Sequence, residues 1–411
     1  MSSTANTKLV KEGTILFIST LIVNAGNYGI NLLLGRWLGP ADFSEVSLLV
    51  TLMLMLSFWA LAFQLTAAKY MATYTDEQTG EMVALKDWLT RWATIVGLIL
   101  AFLMMGLSFF WKDFFQTRSV IPFLIFGIGM PIYLRMSVNR GILQGKQDYR
   151  KLAITYQVEM WSRLVISVLL VSMGWGVVGV AWGLTLSLLC TLLVSKPKFN
   201  ALIGGVTTIV DQKSIVNFLV VILVYECSQI LINNSDTLLV KHFFPPFEAG
   251  LYAALSLIGR IVYFGTWTVV TLLFPTVIRL EKEGKDHTRY FIGGLAVVAF
   301  IAACIIGACY LLPELMVKIL FGANYLAISP LLWQYSLATA LFACANVFVY
   351  YHLSLDRRVP VGITIVGGLL QIILITLFHQ NFEEVIHIQI YLMTGLLLAM
   401  ICYQFIYKKI K

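Results

Sequence analysis

Arg163, Glu226 and Arg260 each stand in the middle of a long apolar run, where a helix surrounded by lipid gains nothing from charge. At a rise of 1.5 Å per residue, Glu226 lies about 18 Å from the start of its run, Arg260 about 15 Å and Arg163 about 16 Å, all near mid-bilayer. An ionised group at that depth costs roughly 2.5–3.5 kcal/mol on insertion scales, so each must face protein or water. Glu159 precedes Arg163 by four residues, one helical turn, and can neutralise it. Glu226 and Arg260, on consecutive antiparallel runs at similar depth, form a second candidate pair. Alternatively, Arg163 and Arg260 face a wet cavity as cations for an anionic cargo, because a guanidinium stays charged and matches phosphate oxygens. Lys69 and Arg135, near the inner ends of the second and fourth runs, are then candidates for its entrance.

Polar residues in general follow the same pattern. The first run carries Thr20, Asn24, Asn27 and Asn31, and the seventh carries Glu226, Gln229, Asn233 and Asp236, both at steps of three and four that put them on one helix face. Such stripes either hydrogen-bond one helix to another or line a shared cavity. Asp236 falls near the outer end of its run: it either caps the break at "NNSD" or, in a tilted helix, lies deep enough to bind a coupling cation or proton. Cysteines and histidines show no ligand spacing, and no phosphate loop or nucleophile motif is present, so no metal, cofactor or enzyme chemistry is expected.

The elements that position these residues are membrane spans. The chain is 59% hydrophobic and 12% charged over 411 residues, with no polar block large enough for a soluble domain. Runs of roughly 20 apolar residues, the length needed to cross about 30 Å of hydrocarbon, occur at 13–34, 45–68, 90–110, 119–138, 152–173, 177–194, 214–239, 250–277, 291–312, 328–353, 360–379 and 388–407. The first is too long for a signal peptide and is expected to be retained. With the N-terminus inside, the outer connections hold only Arg36, Lys112, Arg118, Lys241 and Lys318, while the inner ones hold nearly all other basic residues, including Arg140, Arg279, Lys282, Arg358 and Lys411. By the positive-inside rule both termini are cytoplasmic. The net charge of +8 is thereby a matter of topology and calls for no nucleic acid.

The break "GRWLGPADF" (35–43), read as a hairpin with Trp37 at the interface, has a counterpart in "VKHFFPPFEAGLY" (240–252): Pro40 meets Pro246, Asp42 meets Glu248 and Asn27 meets Asn233 at one constant offset. "GILQGKQDYRK" (141–151) falls opposite "YHLSLDRRVPV" (351–361) at nearly the same offset. An offset of six spans inserts both halves in the same direction, related by a pseudo-two-fold along the membrane normal with a cleft between them. The expected fold is an all-α integral membrane protein of twelve transmembrane helices in two six-helix lobes, an N-lobe at 1–200 and a C-lobe at 201–411.

With "LGRWLGPADFSEVSLLVTL", "RGILQGKQDYRK" and "NNSDTLLVKHFFPPFEAGLYAALSLIGRI" in place, the chain resembles the Wzx-type polysaccharide flippases of the MOP superfamily, distant relatives of lipid II flippases and MATE exporters. The resemblance implies alternating access around a cationic cavity and movement of undecaprenyl-diphosphate-linked oligosaccharide from the cytoplasmic to the outer leaflet of a bacterial plasma membrane. It implies partners among membrane lipids and the polysaccharide polymerase machinery, and a coupling proton or sodium ion. Arg260 is similar to the eighth-span arginines of lipid II flippases and Asp236 to the seventh-span acid that takes part in sodium binding there. The eleventh span offers Gln371 and Thr376 but no Asp, which departs from that sodium site. The rival reading is a MATE-like cation-coupled multidrug exporter, which would present acidic groups to cationic drugs. A membrane-embedded enzyme of the same pathway would need a large outer loop, and the longest here, 313–328, is short.

Overall fold

The computed structural model describes residues 2–74, 78–199, 211–263, 269, 277–278, 280–281, 283–355, 357 and 359–410, with side chains from residue 12 to residue 406. The boundary expected at 200/201, most of the eighth run beyond Tyr263, and Arg279, Lys282, Arg358 and Lys411 lie outside the described residues. Within them, the regular structure is helical throughout: α1 (Ser2–Met71), α2 (Thr79–Gly106), α3 (Ser108–Phe114), α4 (Ile121–Gly145), α5 (Tyr149–Ser172), α6 (Gly176–Val194), α7 (Gln212–Phe243), α8 (Pro246–Gly259), α9 (Thr288–Leu311), α10 (Pro313–Leu320), a 3-10 helix (Ala323–Leu331), α11 (Leu332–Leu353), α12 (Val359–Leu377) and α13 (Phe382–Ile410). Ten helices among the described residues are long and apolar enough to cross a membrane.

Local chemistry explains the element ends. The first predicted hairpin is reduced to a single residue: α1 breaks at Gly39, at φ 75° and ψ 173°, a backbone region open to glycine at no steric cost. Pro40 starts the second limb, where its missing N–H is no loss. Trp37, just before the break, is 52% exposed. Pro246 opens α8 in the same way. The outer connection expected at 313–328 is not an open loop, since α10 and the 3-10 helix occupy it. Before α9, the Asp286 carboxylate accepts the Thr288 N–H at 2.9 Å, and hydrogen bonds from Thr288 hold its carboxyl below the usual carboxylate range. Asp148 caps α5 by accepting the Lys151 N–H at 3.1 Å. Asp148→Ala is expected to cost about 1 kcal/mol, read as a small fall in melting temperature of the purified protein.

The chain divides into two compact units, one formed by residues up to Leu38 and Glu45–Cys227, the other by Gly39–Ser44 and Ser228–Lys411. In the first, Phe63, Ala67 and Met71 of α1 pack with Leu85, Leu89 and Ala93 of α2 and Leu134, Val138 and Ile142 of α4. Gly141 and Gly145, four apart on α4, lie against the α1 backbone: a Cβ at either would run into the carbonyl of Gln64 or of Ala68. That spacing lets two apolar helices approach closely.

In the second unit, Val298 and Ala302 of α9, Ala343 and Val347 of α11, and Leu396 and Met400 of α13 form the core with Ile232 of α7. The two breaks that the repeat relates pack on each other here. Gly250 lies so close to Pro40 that a Cβ would strike the Pro40 carbonyl. Lys241, read from the sequence as an outer loop cation, is instead 3% exposed and donates to the Ser44 hydroxyl at 2.9 Å. Phe43 completes the contact, its ring 5.4 Å from Phe321 and 6.3 Å from Tyr325.

Candidate functional site

Among the described residues, each unit holds a shielded cluster of charge within its helices. In the first, α5 carries Glu159 and Arg163 a turn apart, and their side chains meet at 2.5 Å. α4 adds Arg140, whose guanidinium reaches the other Glu159 oxygen at 2.7 Å. Arg140 is anchored further by its Nε to the Thr155 hydroxyl and an Nη to the Thr155 carbonyl, both at 3.0 Å, and lies 4.2 Å from the centre of the Tyr156 ring. Arg163 donates to the Asn27 side-chain oxygen of α1 at 3.3 Å. Two guanidiniums therefore share one carboxylate, and the Arg163 Nε–H has no acceptor among the described residues. The cluster keeps one positive charge and one spare donor for an anion.

Around Asp236 of α7 the balance differs. This carboxylate is 2% exposed and accepts from Arg260 at 2.9 Å, Tyr252 of α8 at 3.1 Å, Tyr335 of α11 at 2.7 Å and Gln389 of α13 at 3.4 Å. Arg260 also donates to the Asn234 side-chain oxygen at 3.2 Å and the Thr237 hydroxyl at 3.0 Å. Its position at the C-terminal end of α8 adds the favourable end of the helix dipole. One cation and one anion make this cluster neutral.

These contacts correct three expectations. Arg260 pairs with Asp236 rather than with Glu226, because helical side chains lean toward their own N-terminus. From α8 that lean carries Arg260 back toward the turn at Pro245, and from α7 it carries Asp236 to meet it. Asp236 is accordingly no helix cap but a buried hub. Arg140, assigned from the sequence to an inner loop, is 4% exposed within α4, which runs to Gly145. The signal for it was present in Gly141 and Gly145, whose spacing marks a close helix contact continuing past residue 138.

The remaining candidates stand apart from both ion clusters. Asn24 is exposed, while Asn31 and Asn233 donate to carbonyls of their own helices, those of Asn27 and Gln229. Glu226 is half-buried with no partner among the described residues. Gln229, one turn on, is 7% exposed, and neither of its side-chain polar atoms has a partner among the described residues. Lys69 is exposed with its ammonium 3.8 Å from the Phe218 ring centre, and Arg135 is exposed. No group of three or more metal-ligating side chains occurs among the described residues.

Comparison with known proteins places this architecture. A family model described as polysaccharide biosynthesis protein matches residues 33–330. No curated protein matches the chain in sequence. Among solved structures, an inward-facing multidrug resistance MATE transporter of the MOP superfamily superposes with a TM-score of 0.76 at 13% identity, covering 95% of this chain and 96% of that one. The lipid II flippase MurJ in its inward closed conformation gives a TM-score of 0.76 at 12% identity over 96% and 87% of the two chains. A MOP superfamily transporter from Pyrococcus furiosus, described as having a binding pocket of reverse polarity, gives 0.61 at 14% identity over 95% and 93%. The fold is that of the MOP transporters, and these structural neighbours are transporters and flippases.

Proposed function

We propose, from the premise that this chain belongs to the polysaccharide biosynthesis protein family, that it flips undecaprenyl-diphosphate-linked oligosaccharide across a bacterial plasma membrane by alternating access. In this reading twelve spans form two six-helix halves, both termini are cytoplasmic, and the lipid surface and the polymerase machinery of a surface polysaccharide are its partners. A diphosphate and its sugars cannot enter hydrocarbon unaided, because nothing there replaces their hydration. The single observation that carries the proposal is the Arg140–Glu159–Arg163 cluster, which keeps one positive charge and an unpaired guanidinium N–H within apolar helices. Such a group is suited to phosphate oxygens. Within the other unit Arg260, part-exposed beside a buried Asp236, is suited to phosphate in its own right, and Asn24, Asn27 and Asn31 of the first unit and Gln229 and Asn233 of the second have amides suited to sugar hydroxyls. Lys69 and Arg135 serve the entrance. The polyprenyl tail stays in lipid.

Leaflet access of a fluorescent undecaprenyl-diphosphate oligosaccharide in proteoliposomes tests this. Wild type is expected to move the lipid, and Arg260→Ala to slow it at least about tenfold, the loss of one charge-assisted contact of about 1.5–3 kcal/mol. No movement by folded wild type, together with expulsion of a cationic dye, overturns it in favour of a cation-coupled exporter. One observation favours that second reading: the Glu226 carboxylate and, one turn on, the Gln229 amide, neither with a side-chain partner among the described residues.

A further inference from the structure

In the first unit, lysines gather where the positive-inside rule asks only for a number of them. After α6, residues 195–199 continue as an irregular strap, and two lysines flanking the turn between α4 and α5 hold it down. Lys151 donates its ammonium to the Lys196 carbonyl at 2.5 Å, and Lys146 donates to the Lys198 carbonyl at 3.3 Å. Asn139 anchors the start of the strap by donating to the hydroxyl of buried Ser195 at 3.2 Å. At its end the Phe199 ring draws the ammoniums of Lys146 and Lys86, 4.6 and 5.8 Å from its centre, toward its negative face. With the exposed Lys196 and Lys198 of the strap itself, five lysines are gathered about five residues of chain. The acids beside them in the sequence are Asp87, 3.5 Å from Lys86, and Asp148, which caps α5.

We propose that this cluster binds the phosphate of an anionic phospholipid such as phosphatidylglycerol. Like charges brought together repel, and basic residues spread around the helix ends would satisfy topology at lower cost, so their convergence calls for an anion. Each ammonium carries three N–H donors. Once the strap carbonyls have taken one apiece, Lys146 and Lys151 keep donors for phosphate oxygens, and because a carbonyl is neutral they also keep their charge. The strap thus positions the lysines without neutralising them. An acyl chain has a path beside them: Leu193 and Val194, immediately before the strap, are 61% and 39% exposed, and Ile154, one turn beyond Lys151 on the same face of α5, is 44% exposed. Charge bordered by an exposed apolar face fits a lipid, whereas a soluble phosphate would leave that face unused. With both termini cytoplasmic, as proposed above, the site meets the inner leaflet, where juxtamembrane lysines attract negative lipid. It does not depend on the identity of the cargo.

The test is binding of phosphatidylglycerol labelled with a fluorophore on its acyl chain to the full chain in neutral detergent, followed by anisotropy, with phosphatidylcholine and glycerol phosphate as competitors. Wild type is expected to prefer phosphatidylglycerol to phosphatidylcholine by about tenfold or more at low salt, and the preference is expected to fall as salt rises. Lys196→Ala combined with Lys198→Ala is expected to weaken binding about 25-fold, about fivefold for each lysine lost at a lipid surface. The hydrogen bonds that hold the strap use the backbone carbonyls of these two residues, so the fold is kept. Lys112→Ala combined with Lys318→Ala removes the same net charge from α3 and α10 and is expected to bind as wild type does. Equal loss in both double variants would reduce the effect to net charge and overturn the site, as would unchanged binding by the strap variant. Equal affinity of wild type for the two lipids overturns it directly. Displacement by glycerol phosphate at the concentration at which the lipid saturates would show a soluble-anion site in place of a lipid site. Leaflet access of the oligosaccharide lipid is measured separately, so the failure of this site and the failure of the flippase reading are distinguishable.

Discussion

Glu159→Ala is expected to destabilise the protein by about 3–5 kcal/mol, the cost of leaving a buried charge without its partner. The estimate falls at the upper end because this carboxylate serves two guanidiniums, Arg140 and Arg163. Its removal leaves Arg140 held by Thr155 and Arg163 by Asn27 alone. All three side chains are largely shielded, so solvent screening gives little relief. Glu159→Gln keeps acceptor capacity but loses the charge, and is expected to fall between the alanine variant and wild type. Thermal denaturation in detergent, with size-exclusion elution as a check on folding, orders the three proteins. A wild-type melting curve for Glu159→Ala would mean that water reaches the two arginines and that they do not form a buried cluster.

Gly250→Ala is expected to have the second largest effect, about 3 kcal/mol, at the top of the usual range for overpacking. What opposes the new methyl is the Pro40 carbonyl, a backbone group that cannot rotate away as a side chain could. The strain falls on the contact that also holds Ser44 to Lys241 and Phe43 to Phe321. Gly29→Ala is the matched control, because a Cβ there meets nothing within 4 Å, and in a helix alanine is favoured over glycine by up to about 1 kcal/mol. Opposite shifts in melting temperature are expected. Equal shifts would show that the Pro40 approach is relaxed in solution.

The helices were readable from the sequence because lipid imposes a simple rule: about 20 apolar residues, interrupted where the chain turns. Among the described residues the predicted runs fall on helical backbone, the first two both on α1, the third across α2 and α3, and the eighth on α8 as far as Gly259. The Glu159–Arg163 contact was readable too, since a four-residue step fixes two side chains on one face. Partners on different helices were harder to read. Matching residues by the depth of their Cα atoms selected Glu226 for Arg260, whereas the direction in which each side chain leans selects Asp236. Arg140 was misplaced for a related reason: a basic residue at the end of an apolar run resembles a loop charge until its partner, Glu159, is seen one helix away. No pattern along the chain announced Tyr252, Tyr335 or Gln389, because three separate helices bring them to one carboxylate.

The association of Gly39–Ser44 with the later half of the chain also sets a timetable for biogenesis. Ser44 emerges from the ribosome 197 residues ahead of Lys241. At about 5–20 residues per second that is a wait of roughly 10–40 s. Throughout it Phe43 and the Pro40 carbonyl stand at the membrane without the side chains that will cover them. A turn made early is thus closed late, and a ribosome stalled midway would leave these contacts unmade.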